Sequence, residues 1–162
     1  MAKEISAADI LIRPAGESDR QAIATLMPYL ADFAIPPRRQ AEHLWSGDAQ
    51  MAEAVLSQPS ASSFIDVAED PSGQVVGLIM VSLREEMLSH EPSAHLEAIV
   101  VAPEYRGLGL GSKLTQHCET RVKALGAKTL TLHVFNRNQR ARALYAAQGF
   151  DEELIRAIKW LD

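Results

Sequence analysis

The apolar positions of this chain fall into two periods, and each change of period marks an element. Ile10-Leu11-Ile12-Arg13, closed by Pro14, predicts a first strand. Ile23, Leu26, Met27 and Leu30 recur at helical spacing behind Ser18 and Asp19, which predicts a capped helix to about Leu30. Pro36-Pro37-Arg38-Arg39 interrupts the pattern as a stiff basic loop. A second helical stretch covers about 40–57, with a break expected near Gly47 and Asp48 as the cap of its second half. Residues 64–69 and 74–83 read as strands, and Asp70-Pro71-Ser72-Gly73 between them suits a type I turn, so the pair predicts an antiparallel hairpin. After a polar loop over 84–93 comes the short apolar run Leu96-Glu97-Ala98-Ile99-Val100-Val101, a further strand. Lys113 to Leu125 reads as a helix, with Leu114, Cys118, Val122 and Leu125 on one stripe and Gly126 as its stop. Residues 129–134 predict a strand, Gln139 to Gln148 a helix capped by Asn138 and stopped by Gly149, and Leu154 to Leu161 a last strand. The order is βα(α)βββαβαβ, the pattern of one mixed α/β sheet over 1–162.

The chemistry concentrates where the strand 96–101 passes into the helix that follows. Arg106-Gly107-Leu108-Gly109-Leu110-Gly111-Ser112 sits at that junction. Glycines there let several backbone N–H groups turn onto one anion, and the helix N-terminus adds free N–H groups and its positive dipole end. Arg106 supplies a fixed charge at the mouth, so the stretch reads as a phosphate cradle. It is not a nucleoside-triphosphate loop, because the order is Gly111-Ser112-Lys113 instead of Gly-Lys-Ser/Thr. It is not a dinucleotide fingerprint, because Ser112 stands where a third glycine is required.

Composition narrows the partners. The 162 residues are 47% hydrophobic, enough for one packed core, and the net charge of -5 argues against nucleic acid. A mildly acidic protein suits a cationic substrate. Cys118 is the only cysteine, and its place on an apolar stripe makes it a small buried hydrophobe. No run reaches the ~18 apolar residues of a membrane span, no secretory signal pattern opens the chain, and a cytoplasmic location is the expectation. No His, Cys or carboxylate spacing points to a metal site.

The segment 101–111, with Arg-x-x-Gly-x-Gly at Arg106, Gly109 and Gly111, closely resembles the coenzyme A pyrophosphate loop of the GNAT acyltransferase superfamily. A second patch, Asn138 to Phe150, resembles the family's Asn-x-x-Ala-x-x-x-Tyr-x-x-x-Gly-Phe segment. The spacing is sensible without the family: positions 138, 141 and 145 share one helix face, Ala141 leaves room for a ligand, and Tyr145 offers a hydroxyl. The resemblance is strongest over 94–150 and weak over 1–60. It implies the GNAT fold, a mixed and mostly antiparallel sheet of six or seven strands flanked by about four helices. It implies acetyl-CoA as cosubstrate, with pyrophosphate on residues 106–112, pantetheine along the backbone of Ile99, Val100 and Val101, and a cofactor contact from Asn138 and Ala141. In the family the tyrosine hydroxyl lies near the thioester sulfur, which makes Tyr145 the expected acid for the leaving thiolate. Glu97 is the outlier of an apolar strand, and some members use a glutamate there as general base, directly or through water. His95, two residues before it, is the alternative base.

The resulting expectation is an acyltransferase that moves the acetyl group of acetyl-CoA directly to a primary amine, most simply of a small molecule such as an amino acid, polyamine or aminoglycoside-like compound. A protein N-terminus or lysine is the alternative acceptor, and a non-catalytic coenzyme A-binding sensor is the alternative of another class. Acidic candidates for the acceptor side are Asp32, Glu42, Asp48, Glu85, Glu86 and Glu91, with Arg38 and Arg39 as candidates for a substrate carboxylate. The resemblance also admits a homodimer.

Overall fold

The computed structural model describes residues 4–162; the first three residues of the domain expected over 1–162 lie outside the described residues. Five strands, β1 (Leu11–Pro14), β2 (Ser63–Glu69), β3 (Val75–Glu85), β4 (Pro92–Val101) and β5 (Thr129–Leu132), form one sheet in chain order. Pairing is antiparallel from β1 to β4, and β5 joins β4 in parallel. Four helices flank it: α1 (Arg20–Leu26), α2 (Ala41–Ser57), α3 (Leu110–Ala124) and α4 (Gln139–Ala147). The architecture is the expected mixed, mostly antiparallel α/β sheet, with five strands instead of six or seven.

The core lies on both faces of that sheet. Leu110, Leu114, Cys118 and Val122 of α3 pack with Val76, Ile79, Val81, Ala94 and Leu96 on one face. Ile23 and Leu26 of α1 and Ala52 of α2 pack with Ile65, Val67, Leu78, Met80, Ala98 and Val100 on the other. Each large apolar side chain buried in this way contributes roughly 1.5–3 kcal/mol. Polar ties complete the layers. The buried Asp66 of β2 accepts from His117 Nε2 at 2.7 Å and pairs with Arg121, so His117 is a tie between α3 and the sheet. Asp70, in the hairpin turn, accepts from the Tyr105 hydroxyl at 2.5 Å and so fastens the segment that follows β4.

Several boundaries differ from the pattern, each for a local reason. α1 stops at Leu26, and Met27–Ala31 tightens into a 3-10 turn as Pro28 enters. α2 runs unbroken through Gly47, because the packing of Trp45, Ala49, Ala52 and Val55 outweighs the ~1 kcal/mol that a mid-helix glycine costs. β4 begins at Pro92 and not at Leu96, since Ser93–Leu96 lies between two strands and pairs with both. α3 begins at Leu110, inside the glycine stretch. Leu154–Leu161 forms no strand: residues 150–162 run on without pairing, turn or bend.

Candidate active site

Three local devices open a cleft of about 330 Å³ at the C-terminal half of β4. The first is the splay of β4 from β5. Their pairing ends at Leu96 with Leu132, so from Glu97 onward β4 keeps β3 on one side and has no β5 partner on the other. Backbone groups of Ala98–Val101 on that side are left for something else to pair with. The second is a bulge. Met80 faces Ala98 while the next residue, Val81, faces Leu96, so Glu97 is the extra residue on β4. Regular alternation along 96–101 therefore slips: Leu96 packs on the α3 face with Ile99 and Val101, and Ala98 and Val100 on the α1/α2 face. The bulge also re-aims Glu97 into the cleft, where Ser82 Oγ donates to its Oε1 at 2.5 Å and Arg84 approaches to 3.8 Å.

The third is the glycine loop. Gly107 and Gly109 have φ of +77° and +83°, the left-handed region that a side chain disfavours, and Gly109 caps α3. This turn directs the helix N-terminus at the cleft. Gly111 serves a different need: a Cβ there would meet Leu144 Cδ2 at 3.1 Å, so it lets α3 and α4 approach closely. Arg106 is held in place, with Nη1 on Asp32 at 2.6 Å, Nε on the Val101 carbonyl at 3.2 Å and its guanidinium over the Tyr29 ring at 5.9 Å. The Asp32 carboxyl is kept below the usual range by that hydrogen bond to Arg106.

The cleft wall brings together Glu97, Ile99, Val100, Val101, Arg106, Gly107, Gly109, Leu110, Gly111, Ser112, Asn138, Ala141 and Tyr145. Leu108 is the one expected residue that is not on it; it turns toward solvent. Asn138 caps α4, its Oδ1 accepting from the Ala141 N–H at 3.2 Å. Tyr145 is 8% exposed, packs edge-on against Phe150 at 5.7 Å, and burial pushes its hydroxyl up to about 12. The hydroxyl has no hydrogen-bond partner among the described residues and keeps its proton at neutral pH.

Asp48, one of six acidic candidates, lines the cleft, and burial followed by the charge of Glu97 pushes its carboxyl up to about 6. The others do not gather there: Asp32 is engaged by Arg106, Glu85 by His90 and Glu86 by backbone N–H groups of its own loop. His95 is off the cleft wall, with Nδ1 on Thr131 Oγ1 at 2.7 Å and its ring edge-on to His133 at 4.8 Å. Burial pushes His95 down to about 4, so it is a neutral sheet histidine. Cys118 is fully buried, and burial pushes its thiol up to about 12, which removes it as a nucleophile. Tyr29, Phe33, Leu44, His133, Phe135 and Arg140 also line the wall. They come from separate loops and helices and share no motif; only the tertiary fold unites them.

The acetyltransferase (GNAT) family model matches residues 26–150, the span that holds every device just described. The chain belongs to the GNAT family. Among its relatives it is 32% identical over 144 residues to an uncharacterized N-acetyltransferase, YhfO, of Bacillus subtilis, covering 88% of this chain and 90% of that one. It is 39% identical over 80 residues to the N-terminal acetyltransferase A complex catalytic subunit ard1 of Schizosaccharomyces pombe, covering 49% of this chain and 45% of that one. The chain thus spans about half the length of two curated relatives it matches, ard1 and a worm N-alpha-acetyltransferase. Among solved structures, an aminoglycoside 6'-N-acetyltransferase of Acinetobacter baumannii superposes with a TM-score of 0.71 at 25% identity, over 94% of this chain and 99% of that one. Within this GNAT chain no helix among the described residues is long and apolar enough to cross a membrane.

Proposed function

We propose that residues 1–162 form one N-acetyltransferase domain that moves the acetyl group of acetyl-CoA to the primary amine of a small molecule. The single observation that carries this reading is the convergence of Glu97, Tyr145 and the α3 N-terminus on one cleft. The residues fit the cosubstrate: left-handed Gly107 and Gly109 with Arg106 suit a pyrophosphate, and the unpaired edge of Ala98–Val101 suits an arm carrying amide groups.

Acetyl-CoA supplies the acetyl group as a thioester. Glu97 attracts the ammonium form of the acceptor and takes its proton, directly or through water. Ser82 holds the Glu97 carboxylate in position. The freed amine forms the new N–C bond as the C–S bond breaks. Backbone N–H groups of the open β4 edge stabilise charge on the carbonyl oxygen. Tyr145, still protonated, gives its proton to the departing sulfur.

The small acceptor is favoured by Phe33 and Phe135, which line the cleft as a tilted aromatic pair with centroids 5.6 Å apart, and by Asp48, a second carboxylate on the wall suited to a cation. A protein N-terminus is the second reading, favoured by the match to ard1. Free-thiol release from acetyl-CoA, measured with amino acids, polyamines, aminoglycosides and short peptides, tests the choice; peptides as the sole substrates would overturn the small acceptor.

Two variants probe the roles separately. Tyr145→Phe should lower kcat about tenfold to a hundredfold, the lower range of positioned proton transfer, with coenzyme affinity unchanged by calorimetry. An equal loss of both would move Tyr145 from acid to binding residue. For Asp48 the sign follows from its raised pKa. Its contribution to stability is complete below the unfolded value of ~3.9 and is lost as pH rises through about 6. Asp48→Asn should therefore raise the melting temperature at pH 7.5 and leave it unchanged at pH 3.5, while raising KM for the amine. An unchanged KM would remove Asp48 from acceptor binding.

A further inference from the structure

The sheet face that α1 and α2 pack against is apolar at Leu78 and Met80 of β3 and turns polar further along the same row, at Ser82 and Arg84. The register carries this change across the sheet. Ser82 faces His95 and Arg84 faces Ser93 on β4, and these in turn face Thr131 and Thr129 on β5. Most groups of this polar floor are satisfied within it. Ser82 donates to Glu97 at 2.5 Å, Ser93 and Thr129 share a hydrogen bond of 2.7 Å, and His95 Nδ1 lies 2.7 Å from the Thr131 hydroxyl.

Arg84 is the exception. Its side chain is half exposed and makes no hydrogen bond to any described residue. Its approach to Glu97, at 3.8 Å, is too long for one, and Glu97 takes its hydrogen bond from Ser82 instead. The adjacent acid, Glu85, is engaged by His90 at 2.6 Å. The Arg84 charge nevertheless bears on this floor: after burial, it is the next cause that pushes His95 down to about 4. Five N–H donors in a rigid fork, the shape that matches a carboxylate, therefore stand uncommitted beside the proposed base. A hollow of about 350 Å³, lined also by Ser93 and His90, opens on Arg84, so an anion can reach it. The arginines that the sequence offered for a substrate carboxylate are committed elsewhere. Arg38 pairs with Asp162 at 2.7 Å, and both Arg38 and Arg39 lie over the Trp160 ring, off the cleft wall.

Glu97 and Arg84 are thus opposite charges 3.8 Å apart, and a ligand that satisfies both must carry a cation and an anion equally close. An α-amino acid does, because one carbon bears its ammonium and its carboxylate. A polyamine or an aminoglycoside brings cations alone, and a peptide N-terminus has an amide where the carboxylate would be. We propose that the acceptor is a free α-amino acid, with its amine at Glu97 and its carboxylate on Arg84. This rests on the acetyl-transfer reading of the cleft and narrows its substrate.

The test is thiol release from acetyl-CoA with free amino acids of small, aromatic, acidic and basic side chain, each run beside its α-carboxamide. The amide has the less basic amine, so more of it is unprotonated at neutral pH and reactivity alone favours it. A preference for the acid therefore reports recognition. The native protein should favour at least one acid over its amide by about tenfold to a hundredfold in kcat/KM, the range of a charge-assisted pair at a half-exposed site. Arg84→Gln should bring that ratio close to one, and Arg84→Lys, which keeps the charge and loses the fork, should fall between. The ratio is the decisive quantity, because a residue that merely tuned Glu97 would alter acid and amide alike. Amides, polyamines or peptides used as well as the acids would overturn the proposal and leave acetyl transfer standing. A ratio that Arg84→Gln leaves unchanged would also overturn it. Silence of every amine would overturn the acetyl-transfer reading, and this proposal with it.

Discussion

Glu97→Gln should lower kcat/KM by about 10²–10⁴-fold, the range that a positioned general base supplies. Glutamine keeps the size of the side chain and can still accept from the Ser82 hydroxyl, so the bulge and the cleft survive. What disappears is the capacity to take a proton and the charge that draws an ammonium. Steady-state kinetics with the acceptor found in the thiol-release screen checks this, with coenzyme affinity by calorimetry as the control. The loss should fall mainly on kcat, because the bound ammonium must give up its proton before the amine can attack. Retention of more than a tenth of the wild-type rate would contradict the assignment. His95 could not take over without leaving Thr131 and the sheet pair that holds it.

Gly109→Glu is the second large effect, and it acts on binding. The position has φ of +83°, where a residue with a Cβ is strained by ~1–2 kcal/mol. A Cβ there meets no atom within 4 Å, so the protein should still fold. The new carboxylate stands at the N-terminus of α3, where the phosphates of the coenzyme are expected. Strain and repulsion together should weaken coenzyme A binding by at least about a hundredfold, equivalent to roughly 2.7 kcal/mol. Gly109→Ala, with the strain and without the charge, should fall between. Equal affinity in wild type and Gly109→Glu, measured by calorimetry with the circular dichroism unchanged, would show that this loop is not the pyrophosphate site.

How much of this was legible in the chain depends on whether the cause is local. The glycine stretch is local: strand, turn and helix follow one another within a few residues, and their order predicted an anion cradle before any tertiary contact was known. The inward stripe of α3 was readable for the same reason, and Cys118 lies buried on it. The role of Gly111 was not readable, because the atom that forbids a side chain there belongs to Leu144 on another helix. Alternation along β4 breaks at Glu97 because a bulge is a property of two paired strands, Met80–Val81 against Leu96–Ala98, and the spacing of apolar residues along one strand does not show it. The walls contributed by Phe33, Asp48 and Phe135 required the loop before α2, α2 itself and the loop after β5 to be brought together by the whole fold. Residues 154–161 show the converse: their pattern reads as a strand, but a strand is defined by a partner, and a single described chain offers none.

Asp48 illustrates a cost that sequence does not show. Its carboxyl is retained in a place where burial and Glu97 both oppose its charge, and it has no ion-pair partner among the described residues. Two carboxylates held apart in environments of different polarity are a common way to receive a cation and then move its proton.

The central claim is that this cleft joins acetyl-CoA to a small amine. The measurement that tests it most directly is free-thiol release by the purified protein with acetyl-CoA and the panel of amino acids, polyamines, aminoglycosides and peptides, run beside Glu97→Gln. The account predicts release well above background with one class of small amine and its collapse in the variant. Tight coenzyme A binding with no release for any member of the panel, or release that Glu97→Gln leaves unchanged, would contradict it.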